Sequence, residues 1–386
     1  MRPGDLRLKS ITIKGYKSID SVAGASLAFE NVTVLLGANG VGKSNLVSFF
    51  TMLNYMMTGS LQIFIAEGGY ADSFLFFGAK KTKEIVASIE FVNPIYNYKY
   101  EFRLAQAVGD TLIFTDEKLI YQEIGNSDRI VWQLNPGVRE TDLLNFMVRS
   151  AEKIASKQYI DATIVSYLLR NCKVFHFHDT STTASIRGQG YLEDNQYLNN
   201  DGDNLAAFLY RLKNNTATFV YYTKIVRYIQ KVMPQFGDFD LNKNELNARY
   251  ITLNWRDKTN QHLFGPHQIS DGSLRFMALA TLLLQPKELL PNVIILDEPE
   301  LGLHPSAIAY LAGMIKATSM DAQIIIATQS PRLMDEFDLE NIVVVERDKK
   351  SNSSTFEYKN SDDLKIWLNE YSLSELWEKN VIGGQP

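Results

Sequence analysis

The run Gly37-Ala38-Asn39-Gly40-Val41-Gly42-Lys43-Ser44 leaves this chain few folds to choose from. Glycines and a Lys-Ser pair in the order GxxxxGK[ST] make a loop whose backbone N–H groups and lysine turn toward phosphates. Such a loop works between a buried strand and the N-terminus of a helix, whose dipole favours an anion. Both neighbours are legible. Residues 31–36 read Asn-Val-Thr-Val-Leu-Leu, a buried strand, and residues 43–57 set Leu46, Phe49, Phe50 and Leu53 on one helical face.

Three downstream motifs follow in a set order. Ile269-Ser270-Asp271-Gly272-Ser273 opens a helical run, and Ser270 with the Gly272 N–H offers a second phosphate surface. Residues 293–296 form an apolar strand ending in Asp297-Glu298, where Asp297 is expected to hold Mg2+ and Glu298 to polarise the attacking water. Gln329 closes the next buried strand, where its amide can hydrogen-bond phosphate or water but cannot carry a proton. Gly37, Asn39, Gly40, Gly42, Lys43, Ser44 and Asn45 are the expected nucleotide contacts, with Ser44 also on Mg2+. ATP and Mg2+ are the cofactors this set calls for. Lys43, Glu298 and Gln329 carry the expected catalytic roles.

Two weaker patterns compete with plain structural explanations. His176 and His178, with Asp179 beside them, could offer metal ligands on one face of a strand, although no further ligand is in view. Asn242-Lys243-Asn244-Glu245 superficially matches a guanine-reading motif, but it lies away from a core strand end and has Glu where Asp is needed.

The chain has 386 residues, 45% hydrophobic and 22% charged, enough for one large domain and a substantial subdomain. Its longest apolar stretch, 276–284, is far shorter than the ~20 residues of a membrane span. With no export signal legible and a single cysteine, Cys172, a cytoplasmic location is expected. A net charge of −5 argues against general coating of nucleic acid. Local contact remains open, and Lys80-Lys81-Thr82-Lys83 is the best such patch.

Alternation over 6–29 and strand-like segments at 84–92, 97–105 and 111–122 predict a mixed-sheet N-terminal lobe, residues 1–135. Helical spacing at 143–154, 164–169, 205–212 and 219–233 predicts an inserted helical lid, residues 136–248. Alternating helix and strand patterns from about Tyr250 to about Val345 predict a C-terminal ATPase lobe, residues 249–386, with a parallel sheet. No sustained heptad repeat is present.

Taken together, these motifs resemble the RecF-like, ABC-type branch of AAA family ATPases. Ile13-Lys14-Gly15-Tyr16-Lys17-Ser18-Ile19, Phe175-His176-Phe177-His178-Asp179-Thr180-Ser181, Asp201-Gly202-Asp203-Asn204-Leu205-Ala206, Glu298-Pro299-Glu300-Leu301-Gly302-Leu303-His304-Pro305 and Ser372-Leu373-Ser374-Glu375-Leu376-Trp377 followed by Gly383-Gly384-Gln385-Pro386 extend the likeness along the chain. The resemblance implies an α/β fold, an ABC-type P-loop NTPase head with an inserted helical lid. It also implies a head-to-tail homodimer around two ATP molecules, with Ser270 and Gly272 completing the partner's site. Gln329 departs from the family's usual switch histidine, which suggests slow or effector-dependent turnover. A Q-loop residue is not placed; Gln62 lies in the right region only. No room is expected after Gln329 for a fused nuclease domain.

Compact relatives of this type suggest an ATP-gated sensor or scaffold in antiviral defence, holding a separately encoded effector such as a nuclease. The alternative is a RecF-like DNA-repair ATPase that clamps DNA. A transporter nucleotide-binding subunit would need a groove for coupling helices and a membrane partner, and the lid's placement between the phosphate loop and the signature is unlike that class. A non-catalytic ATP-dependent dimer is a further option.

Overall fold

The computed structural model describes residues 6–150, 156–243, 247–359, 364, 367 and 370–384. Alternation, broken by a bulge between Leu8 and Ser10, builds its first layer. In β1 (Arg7–Lys14), Leu8, Ile11 and Ile13 point inward, and β2 (Ala25–Ala28) pairs with it antiparallel. β3 (Val32–Leu36) has no polar face and is buried throughout. α1 (Lys43–Met56) follows the phosphate loop, then the short α2 (Leu61–Glu67) and α3 (Tyr70–Phe74). β4 (Glu84–Val92), β5 (Tyr96–Ala107), β6 (Thr111–Glu123) and β7 (Arg129–Gln133) form an antiparallel meander. The sheet order is β2-β1-β4-β5-β6-β7, so the three strand segments expected from alternation are all formed. α1 packs its aromatic face on this sheet: Phe49 stacks on Phe102 of β5 with ring centroids 6.4 Å apart. Burial of such side chains contributes roughly 1.5–3 kcal/mol each.

Next come α4 (Asp142–Ser150) and α5 (Lys157–Arg170), the latter capped by the Ser156 hydroxyl. The chain divides into two compact units, the first taking residues up to Lys173 and the second Val174–Asp338. β8 (Cys172–Phe175) leads into the second unit, which begins with β9 (Gln189–Tyr191), α6 (Leu205–Asn214) and α7 (Phe219–Val232). The helical region expected at 136–248 is therefore shared between the units. Ile154, Asn244 and Glu245 lie outside the described residues.

β10 (Phe236–Asp240), β11 (Tyr250–Thr252), β12 (Asn254–Asp257) and β13 (Leu263–Phe264) are short and antiparallel. This differs from the expected parallel pattern starting at Tyr250. The cause is local: residues 258–262 reverse the chain between β12 and β13, with Gln261 at φ 58°. Parallel pairing begins later. α8 (Asp271–Leu284), buried at Leu274 and at every residue from Phe276 onward, precedes β14 (Val293–Asp297). α9 (Pro305–Thr318) then crosses to β15 (Gln323–Thr328), whose Ala327 pairs with Asp297, and α10 (Pro331–Met334) follows.

The chain returns to the first unit from Leu339 onward. β16 (Ile342–Arg347) pairs parallel with β3, β17 (Ser354–Tyr358) pairs antiparallel with β16, and α11 (Leu373–Glu378) carries a Ser372–Glu375 capping box. Gln385 and Pro386 lie outside the described residues. Among the described residues no helix is long and apolar enough to cross a membrane.

Candidate functional site

The phosphate loop has β3 behind it and α1 ahead, with Gly42 at φ 115° as the helix N-cap. Its glycines serve two different ends. A Cβ on Gly37 would overlap the Val345 carbonyl of β16, and one on Gly42 would overlap the Ser354 hydroxyl. Those two positions make room for the protein's own chain. Gly40, at φ 80°, has nothing within 4 Å of where a Cβ would stand, so it borders open space. The loop is anchored from behind: Ser354 donates to the Val41 carbonyl at 2.5 Å and meets Ser18 at 2.6 Å. Asn45, expected on the nucleotide, spends its side-chain amide on Ser18 at 2.6 Å and so belongs to this anchor.

Lys43 is buried, with its ammonium donating to the Gly37 and Ala38 carbonyls at 2.6 and 3.0 Å. Asn39 and Ser44 are exposed, and Ser44 has no hydrogen-bond partner among the described residues. The open space beside Gly40 and the free Ser44 hydroxyl fit a nucleotide's phosphates and a hard cation. The tail also reaches this loop. Ala38 donates to Gly384 at 3.0 Å, and the Gly384 N–H is held by Glu346 at 2.8 Å.

In the second unit, Ser270 caps α8, accepting from the Ser273 N–H at 3.3 Å and donating to the Ser273 hydroxyl at 2.8 Å. Gly272 is required sterically, since a Cβ there would overlap the Gly302 carbonyl. Two arginines, unremarked in the sequence, build this region. Buried Arg187 donates to the carbonyls of Thr180, Pro266 and Ile269 and to Asp271. That bond in turn holds the Asp271 carboxyl below its ordinary value. Arg275 donates to Phe177, His178 and Leu301 carbonyls at 3.1, 2.6 and 2.7 Å. An Arg two residues after a Ser-x-x turn opening a buried helix was the available signal.

Asp297 ends β14, half-buried, and Glu298 follows at φ 40°, in the left-handed region where a non-glycine residue is strained. The Glu298 N–H donates to the Ala327 carbonyl at 2.7 Å, which holds that conformation. Glu300 is buried and accepts from Thr328 at 2.5 Å, while its second oxygen has no hydrogen-bond partner among the described residues. Burial pushes its carboxyl up to about 7; the Thr328 bond opposes this, and Glu298 and Asp297 add to the rise. Gln329 directly follows β15, half-buried, with no hydrogen-bond partner among the described residues.

His176 and His178 lie just past β8 and not on it, alternating with buried Phe175 and Phe177. Asp297 stands beside them as a third candidate donor: the three donor atoms lie within 4.8 Å of one another. Asp179, expected in the group, instead accepts from the Ser181 N–H at 3.0 Å. Desolvation lowers the His176 value, with Asp297 opposing. Gln62 donates to the Leu112 and Arg139 carbonyls at 3.0 and 2.6 Å, bracing β6. In the lysine cluster, Lys81 lies over the Phe77 ring at 4.4 Å and Thr82 is buried.

This fold and these motifs define a P-loop NTPase head of the ABC type. A family described as "AAA domain, putative AbiEii toxin, Type IV TA system" matches residues 32–335, and the chain belongs to that AAA ATPase family. A "Putative ABC transporter ATP-binding protein" of Methanosarcina acetivorans is 31% identical over 115 residues, 29% of this chain. That match spans only 40% of the relative's length. Among solved structures, an Smc head bound to the C-winged helix domain of ScpA aligns with TM-score 0.57 at 16% identity, covering 93% of this chain and 99% of that one. A second Smc head, with an extended coiled coil and bound to the C-terminal domain of ScpA derived from Pyrococcus furiosus, aligns with TM-score 0.55 at 16% identity, over 95% and 99%.

Proposed function

We propose that this chain binds and hydrolyses Mg-ATP as a head-to-tail homodimer and that the ATP-bound dimer regulates a separately encoded effector in antiviral defence. The observation that carries the ATPase reading is Glu298, a carboxylate held in strained backbone directly after the buried strand that ends in Asp297. Lys43 would exchange its two carbonyl partners for phosphate oxygens. Ser44 and Asp297 would hold Mg2+, which supplies charge neutralisation at the transferring phosphoryl group. The Glu298 carboxylate would accept a proton from the attacking water, while the Gln329 amide donates to phosphate or water without taking a proton. Turnover is consequently slow or effector-dependent. The functional division into 1–135, 136–248 and 249–386 belongs to the same reading.

The effector role is supported by the family description, which speaks of a toxin–antitoxin system and hence a second component. The Smc heads, solved with a ScpA domain bound, support partner recognition by heads of this fold. A cytoplasmic location goes with that reading. The test is steady-state hydrolysis: Glu298→Gln should lower the rate by at least about 100-fold with ATP still bound. Unchanged turnover would remove Glu298 from the mechanism.

A DNA clamp is the second reading, favoured by one surface. Lys224, Arg227 and Lys231 stand exposed along α7, which contains no acidic residue. A clamp predicts DNA affinity that falls steeply with salt, with log–log slope about −0.9 for each phosphate neutralised. Salt-independent or absent binding returns this face to ordinary surface.

A further inference from the structure

We propose that His176, His178 and Asp297 form a binding site for a divalent transition ion, Zn2+ in the first instance, distinct in chemistry from the Mg2+ of the nucleotide. The three donor atoms lie within 4.8 Å of one another. Two imidazoles and one carboxylate form a borderline donor set that suits Zn2+, whereas Mg2+ takes oxygen ligands. Bonds of about 2.1 Å put tetrahedral ligands roughly 3.4 Å apart, so the observed spacing closes with small side-chain rotations.

The backbone under the histidines is already fixed. The His176 N–H donates to the Asn200 carbonyl at 2.9 Å, and Arg275 holds the Phe177 and His178 carbonyls. Phe175 and Phe177 are buried at 3% and 6% exposure, while His176 and His178, next to them in the chain, are not buried and bring their donor atoms within 4.8 Å of Asp297. Neither imidazole has a hydrogen-bond partner among the described residues. Ring centroids 6.1 Å apart, tilted by 40°, leave both rings room to turn toward a common point.

A regulatory consequence rests on the reading of Asp297 as the carboxylate for the nucleotide's Mg2+; the binding itself does not. An ion held by both histidines would draw that carboxylate away from Mg-ATP. Zn2+ then acts as a brake on hydrolysis.

The test uses the full chain and metal alone. Nucleotide-free wild type should take up one Co2+ per chain with tetrahedral absorption, displaced by Zn2+. His178→Ala and His176→Gln should each weaken Co2+ binding at least about tenfold, and Zn2+ should raise the melting temperature of wild type but of neither variant. Unfolding without metal verifies that the variants fold. Lys43→Ala should lose ATP binding and keep the Co2+ site, which separates this proposal from the ATPase reading. No stoichiometric Co2+ uptake by wild type, or wild-type affinity in both histidine variants, would overturn it. Zn2+ should also inhibit wild-type hydrolysis at least about tenfold more than that of His178→Ala. Equal inhibition would overturn the brake.

Discussion

Glu300 shows how a single buried side chain links this site to pH. Its carboxyl has an ordinary value of 4.5 and is pushed up to about 7, chiefly by burial. The folded state therefore binds this proton more tightly than the unfolded state does. Its stabilising effect is full below pH 4.5 and is lost as pH rises through about 7. The loss is on the order of 3 kcal/mol. Glu300→Gln should remove that slope, so its stability relative to wild type rises between about pH 5 and about pH 8 in urea unfolding. Parallel pH curves for the two proteins would contradict this. Arg187 makes a second residue-scale prediction. Arg187→Leu strands three carbonyls and an aspartate, and should lower stability by about 2–4 kcal/mol in the same measurement.

At the scale of elements, the loop and signature depend on glycines for reasons the sequence showed only in part. The pattern GxxxxGK[ST] was legible because it is local. The roles of Gly37 and Gly42 were not, because Val345 and Ser354 reach them from some 300 residues away. Strand-like composition located β4, β5 and β6 almost to the residue, and helical spacing over 219–233 located α7. Composition of this kind is local. It could not show that β16 returns to pair with β3, since a strand with buried residues on both faces carries no information about its partner. Likewise Asp297 was read from its strand end, and His176 and His178 from their spacing, but their meeting depends on tertiary structure. Gly272→Ala should displace the Gly302 carbonyl and reduce hydrolysis at least about tenfold, while a fluorescent ATP analogue still binds. Loss of binding together with turnover would mean that Gly272 serves folding alone.

In the whole molecule, ATP is the link between two copies of the chain in the proposed dimer. Ser270 stands exposed at the start of α8 and Gly272 is half-buried beside it, as a surface offered to a partner's phosphates requires. The family and the Smc-head likeness establish the ATPase class and the fold. The dimer and the effector rest on the proposal. The measurement that tests it most directly is a native mass spectrum of Glu298→Gln protein held in Mg-ATP. The account predicts a species of two chains with two ATP molecules, absent without nucleotide. A single chain carrying one ATP at every protein concentration would contradict it.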